Sequence, residues 1–411
     1  MSASPIRSPE ASPQGQAAPR WLPWVIGLTP VFPPLYLTAF GGLRALRGLP
    51  MLARWVLLFF AVTQLAAAVF TPRPLVSLGL AALRVLFVLA MISAGVWLRD
   101  SRRLRPLVWG YTVVFGTAWL YTLATLGLSG IQGRLGHPYY YIVSLGLLGA
   151  ICLWLVVSWR GASPWWRIPV GALAAVTMVA TGSRGPLLAF VVGIVAATLN
   201  GGRHFLRLLI PLLLIGVAAF GLVPQLRAVN PLERLATGGL TGRDEVWQNA
   251  WDAFQFNPVG GSGPYQLGPY LTFLYKDGCT LNPVLEKNGI HCPAWLRPYT
   301  GAWLIAHNAA LHVLAETGVL GALGYLALFL LGAWRTWQSR DSLLVAVFWG
   351  YTAMNTVDVV IAVPSPHFAE LAWVVLGLSL VGMNGEAGGA PADPTRKPPP
   401  AATPAPGSAA G

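Results

Sequence analysis

Apolar residues run almost without interruption through this chain, in stretches that short polar turns separate, so the pattern is neither a narrow amphipathic stripe nor strand-like alternation. The stretches fall at residues 21–43, 55–70, 75–98, 107–128, 139–159, 168–181, 186–199, 208–223, 308–333, 343–363 and 368–383. Most match the roughly 20 residues a helix needs to cross about 30 Å of hydrocarbon. Pro30, Pro33 and Pro34 interrupt the first, which reads as one kinked span or a broken hairpin. The predicted fold class is therefore an all-α polytopic membrane protein with 11 or 12 transmembrane helices. A β-barrel would instead show alternating segments of about ten residues. Residues 1–20 and 385–411, rich in Pro, Ala, Ser and Gly, read as disordered tails. Between them lie N-terminal transmembrane helices (21–223), one long hydrophilic loop (224–306) and C-terminal transmembrane helices (307–384).

Composition agrees with that reading: 55% of residues are hydrophobic and only 10% charged, against about 25% charged in soluble domains. A net charge of +13 would suggest nucleic acid in a soluble protein. Here the arginines instead cluster in short loops, where they orient spans, and no nucleic-acid partner is expected. Threading the chain from the knot Arg99, Arg102, Arg103 and Arg105 puts 13 arginines in short inner loops and three, Arg73, Arg134 and Arg184, in short outer ones. The tails are then cytoplasmic and the long loop external. The two spans meeting at Thr181–Pro186 have about 14 residues each, short for a full crossing, so Arg184 is expected at membrane depth. A cation there is expensive and a functional candidate. No cleavable signal peptide is evident, because residues 1–20 lack an apolar core.

The long loop reads as ordered. Cys279 and Cys292 lie 13 residues apart on the external face and fit a disulfide. Thr241-Gly242-Arg243-Asp244 resembles a capping box opening a helix, with Trp247, Ala250, Trp251 and Phe254 on one face. Such a helix suits the membrane interface. Gly260-Gly261-Ser262-Gly263 follows a helix instead of preceding one and lacks a Lys-Ser/Thr ending, so it is not a phosphate loop. No His or Cys spacing suggests a metal: His291 and Cys292 are adjacent, and His307 and His312 are five apart.

His307 opens the span after the loop, followed by Asn308 and, deeper in the same helix, Glu316, Gly318 and Gly321. Glu316 lies about 13 Å into the membrane by helical rise and needs a cation. Arg84 sits at a comparable depth in its own span, so Arg84 is expected to pair with Glu316 or with Asp358 as a structural clamp. Arg184 and Arg243, with Arg134 as a third, remain as outward cations whose planar forks suit phosphate oxygens. Aimed at one point they could hold a diphosphate and stabilise the charge it gains on leaving. A neutral histidine nearby could take a proton from an attacking sugar hydroxyl. No nucleophile for a covalent intermediate is evident, so direct displacement with inversion is the simplest chemistry.

At these positions the chain resembles the O-antigen ligase and polymerase superfamily. The likeness rests on Ser183-Arg184-Gly185, Gly242-Arg243 with Trp247, Gly261-Ser262-Gly263, and His307-Asn308 with Leu311, Glu316, Gly318 and Gly321. It covers about residues 130–330. The resemblance implies a GT-C type glycosyltransferase of the bacterial inner membrane, working on the periplasmic side without metal or cofactor. The donor would be an undecaprenyl-diphosphate-linked glycan and the acceptor a sugar of lipid A-core. Residue by residue, Arg184 and Arg243 match the arginines that bind the diphosphate and His307 the base. Arg134, Asn308, Trp247, Gly261 and Gly263 complete the expected substrate-binding set. Relatives polymerise repeat units or glycosylate pilin with the same apparatus, and the acceptor has no motif that separates them. A transporter of the same lipid-linked glycan is the other class of reading, against which stands the lack of an internal repeat. Membrane lipids are the remaining expected partners, and the protein is expected to act as a monomer.

Overall fold

The computed structural model describes residues 19, 21–127, 134–159, 161–208, 242–272, 304–362 and 370–381. The tails, the 208–223 exit segment beyond its first residue, much of the long loop, and Cys279 and Cys292 lie outside the described residues. Within them the fold is helical, without a strand.

The helices occupy the apolar runs: α1 (Leu22–Leu28), α2 (Met51–Val69), α3 (Pro74–Leu98), α4 (Leu107–Leu126), α5 (Ile142–Ser158), α6 (Pro164–Ala180) and α7 (Arg184–Leu199). From the long loop comes α8 (Arg243–Phe256), followed by α9 (Ala309–Gln338), α10 (Ser342–Met354) and α11 (Glu370–Val381). Among the described residues four helical stretches are long and apolar enough to cross a membrane: Met51–Val69, Pro74–Leu98, Ser101–Leu126 and Ala309–Gln338. Further apolar helices of 10–17 residues include α5 and α10, which are packed in the interior, and α7, which keeps one face exposed. Lipid contact is legible in side chains that no soluble protein would leave out: Leu52, Trp55, Phe59 and Val62 along α2, and Leu326 and Leu330 along α9, are exposed.

The interrupted first segment is neither one span nor a symmetric hairpin. It is the seven-residue α1 followed by a 3-10 helix over Pro33–Gly48 that packs on α3. Close helix contacts are made by small residues, as expected where lipid supplies no hydrophobic drive. Gly95 of α3 meets the backbone of α11, and Gly377 of α11 meets the carbonyl of Ile92. Gly193 and Gly350 clasp the buried Trp154 ring between α7 and α10.

Hydrogen bonds define two ends. At one, Ser101 Oγ donates to Asp341 and Asn200 Nδ2 donates to the Trp337 carbonyl, gathering the α3–α4, α7 and α9–α10 turns. At the other, the Ala309 amide donates to the Asn355 carbonyl, Asn257 Nδ2 donates to the Phe70 carbonyl, and Arg134 reaches the α6–α7 turn. The first end carries Arg99, Arg102, Arg105 and Arg340, whereas the second carries the residues singled out for chemistry.

Candidate active site

The second end is built on the entrance to α9. Asn308 caps that helix: its Oδ1 accepts from the Leu311 amide at 3.1 Å, while its Nδ2 donates to the Thr356 carbonyl at 3.2 Å. Both ends of the amide thus take part in holding the turn. His307, just before the cap, has a left-handed backbone (φ 49°), a costly conformation for a residue with a side chain and one that clusters at working sites. The turn holds the imidazole against α10's end, where His307 Nδ1 lies 3.2 Å from Asp358 Oδ1.

Asp358 is not a mid-span partner for Arg84. α10 stops at Met354, earlier than the apolar run suggested, and residues 355–358 form turns fixed by the Asn355 Oδ1 bond from the Val360 amide. The Asp358 side chain is fully buried and that of His307 is 22% exposed. With Nδ1 facing a carboxylate, the neutral ring carries its proton there and Nε2 is the basic nitrogen. No local pattern signals this pairing, because the two residues are 51 positions apart.

The Ser183-Arg184-Gly185 turn packs on the same α10 end: a side chain at Gly185 would strike Met354 and Val357. Arg184 starts α7 and is exposed. Arg134 stands behind it, its Nε donating to the Thr181 carbonyl and one terminal nitrogen to Ser183 Oγ, both at 2.9 Å. Arg134 therefore braces the turn that presents Arg184. From above, α8 begins at Arg243 behind Gly242, whose left-handed φ of 77° makes it the N-cap without a side-chain bond. The expected capping box rests on Thr241, which lies outside the described residues. Val246, Ala250 and Ala253, more than Trp251, form the packing face of α8 against Leu267, Leu271 and Ala306. Trp247 Nε1 donates to the His307 carbonyl at 3.3 Å. Arg243 stands four residues before Trp247, on the same helix face.

About three turns deeper, α9 breaks. Gly318 has φ 57° and ψ −167°, and the open helix is filled by residues 258–263. The Ser262 and Gly263 amides donate to the Ala315 and Glu316 carbonyls at 2.8 and 2.9 Å, and the Val319 and Leu320 amides donate back to Pro258 and Val259 at 2.8 and 3.4 Å. These four bonds satisfy groups that would each cost several kcal/mol unpaired within a membrane. Gly261 and Gly263, expected to bind substrate, form this wedge: a Cβ on Gly261 would meet the Glu316–Thr317 backbone, and Gly263 has φ 104°. Beside the wedge, Arg84 and Glu316 form a buried ion pair between α3 and α9. The Tyr265 amide donates to Glu316 at 2.9 Å and its ring lies 4.1 Å from the Arg84 guanidinium. His312 completes the group, 3.5 Å from Glu316. Tyr265 and His312 had not been singled out, although the i, i+4 spacing of His312 and Glu316 placed them together.

Below the His307–Asp358 pair, an apolar cleft of about 490 Å³ runs between α9, α10 and α11, from Ala309 and Asn355 down to Phe329 and Leu376. Val319, Leu323 and Leu326 of its wall are each more than a third exposed, so it opens toward lipid. Among the described residues no group of His, Cys, Asp and Glu could hold a metal. Cys152 is buried and unbonded within α5.

Comparison with known proteins adds one finding. Residues 169–326, from within α6 to the middle of α9, match the family model described as O-Antigen ligase. A comparison with curated proteins finds no match.

Proposed function

We propose, for a chain whose residues 169–326 match the O-antigen ligase family model, that it transfers an undecaprenyl-diphosphate-linked glycan to a sugar hydroxyl of lipid A-core at the periplasmic face of the inner membrane. The observation that carries this reading is the Asp358–His307 pair, close in the chain to Ala309 and Asn355, which line one end of an apolar, lipid-facing cleft. A base at that height can serve a substrate whose isoprenoid tail lies in the cleft and whose diphosphate sits at the membrane surface. In the reaction, the acceptor hydroxyl oxygen bonds to the anomeric carbon of the glycan from the face opposite the diphosphate. Its proton passes to His307 Nε2. Asp358, hydrogen-bonded to Nδ1, orients the ring and stabilises the imidazolium that forms. The bond between the anomeric carbon and the diphosphate oxygen breaks with inversion, and Arg184 and Arg243 balance the charge that grows on the leaving undecaprenyl diphosphate. Arg134 positions Arg184 from behind.

Purified protein incubated in detergent with lipid-linked oligosaccharide and lipid A-core acceptor tests the reading. Joined product is expected, with a loss of 10²–10⁴-fold for His307→Ala and about 10²–10³-fold for Arg184→Ala or Arg243→Ala. Full activity in His307→Ala would remove the base. Lengthened lipid-linked glycan without acceptor would reassign the protein as a polymerase. Activity without a sealed bilayer is what a transporter would not give.

A further inference from the structure

The opposite end of the bundle holds a second polar cavity that the transfer reaction does not use. It measures about 460 Å³ and is lined by Ser101, Arg102, Arg105, His204, Arg340 and Asp341, among others. α10 begins at this cavity and ends at Asp358's turn, so about 20 Å of helix separates it from His307. Its charge is one-sided. Asp341 is committed as the cap of α10, accepting from the Leu343 and Leu344 amides at 2.9 and 3.3 Å and from Ser101 Oγ. Among the described residues none of the three arginines has an ion-pair partner. Arg340 also keeps a left-handed backbone (φ 51°) in the short α9–α10 connection, where glycine would be the comfortable residue. A side chain retained there at that cost is consistent with one that is used.

The surroundings identify the level of the cavity. Trp159 stands 5.3 Å from the Arg105 guanidinium and packs on Trp166, which packs on Trp109, with ring centroids 4.9 and 5.0 Å apart. Trp165 is 89% exposed, and Trp334 and Trp337 are exposed at the same end. Tryptophans arranged in this way mark the headgroup layer of a bilayer. Three guanidinium forks at that depth, around a cavity with no uncommitted carboxylate among the described residues, match a phosphate group. We infer that this cavity binds the phosphate headgroup of an anionic phospholipid, in the leaflet opposite the His307 site, and so anchors the α3–α4, α7 and α9–α10 turns to one another.

The test uses the full-length protein purified in detergent and three probes: dioleoylphosphatidylglycerol, dioleoylphosphatidylcholine and sodium phosphate. Phosphatidylglycerol is expected to stay bound in native mass spectra and to raise the thermal midpoint, whereas phosphatidylcholine and sodium phosphate do neither. Each single variant, Arg102→Gln, Arg105→Gln or Arg340→Gln, should weaken phosphatidylglycerol retention about fivefold, the effect of one cation near an anionic surface. The triple variant should weaken it by more than tenfold. Equal retention by wild type and all three single variants would overturn the site, and so decides the matter where the triple variant does not fold. A midpoint shift from sodium phosphate as large as that from phosphatidylglycerol would overturn the lipid as the source of the phosphate.

Discussion

A histidine at a helix entrance is usually a polar boundary residue. What distinguishes His307 is its strained backbone and a buried carboxylate on one ring nitrogen. Asp358→Asn keeps the side-chain oxygen that accepts from the Val359 amide and faces His307 Nδ1, so the turn and the ring's orientation should survive while the negative charge that stabilises the imidazolium is lost. Transfer should fall at least 10²-fold, by the logic of carboxylate–histidine pairs, with donor KM little changed. Initial rates of the purified enzyme measure this, and a wild-type rate would leave Asp358 a purely structural role. His137, on the same end, is held by geometry of another kind. Its Nδ1 accepts the Tyr139 and Tyr140 amides at 3.0 and 2.9 Å, and its Nε2 lies 3.1 Å from Thr117 Oγ1. Burial pushes its pKa below the usual 6.5. A lowered folded value means that the group contributes stability above the unfolded pKa, and that this contribution is lost as pH falls through the folded one. The thermal midpoint of the wild type should therefore drop between about pH 6.5 and pH 5 by more than that of His137→Asn, whose amide oxygen can accept without titrating. Equal pH slopes in the two proteins would count against it.

At the scale of elements, the broken α9 and its wedge hold the site up. Gly318→Ala places a side chain against the Val259 carbonyl and a non-glycine residue at φ 57°. With ψ at −167° this backbone conformation is essentially confined to glycine and costs another residue about 1–3 kcal/mol. The variant should melt lower than wild type and lose hydrogen-exchange protection at residues 258–263 first, and unchanged protection there would show that the kink tolerates a side chain. The Arg84–Glu316 pair beside it gives a sharper comparison. Arg84→Met alone strands a buried carboxylate, which costs about 3–5 kcal/mol, whereas Arg84→Met with Glu316→Met removes both charges and should recover most of that loss. A thermal-shift series of the two single variants and the double one reads the difference. Much of this was legible in sequence: helix positions follow from apolar runs, and a lone Glu316 at depth demands a cation. The partner was not decided, because Arg84, Asp358 and Glu316 are far apart in sequence and residue depth alone cannot choose between pairings. The wedge was invisible for a different reason. Gly260-Gly261-Ser262-Gly263 looks like a ligand loop from composition, and only backbone geometry reveals that its amides face another stretch of the same chain.

For the whole molecule, one consequence follows from helix direction and does not depend on the identity of the sugar. α9 runs from His307 to Arg340 and α10 returns to Asp358, so the wedge, α8 and the histidine share one end while Arg102, Arg105 and Arg340 share the other. The proposed reaction requires the Arg340 end to face the cytoplasm, as an excess of arginine favours, and His307 to face the periplasm, where lipid-linked glycan would be transferred. Cysteine labelling separates the two orientations. In a background with Cys152→Ala, Cys279→Ser and Cys292→Ser, Trp251→Cys on the exposed side of α8 should react with a membrane-impermeant maleimide added to spheroplasts. Arg340→Cys should react only once the membrane is opened. Trp251 is 40% exposed and Arg340 is exposed as well, so a silent cysteine at either site reports the side it lies on rather than burial. Labelling of Arg340→Cys from outside, with Trp251→Cys protected, would invert the protein and place the histidine in the wrong compartment for the proposed transfer.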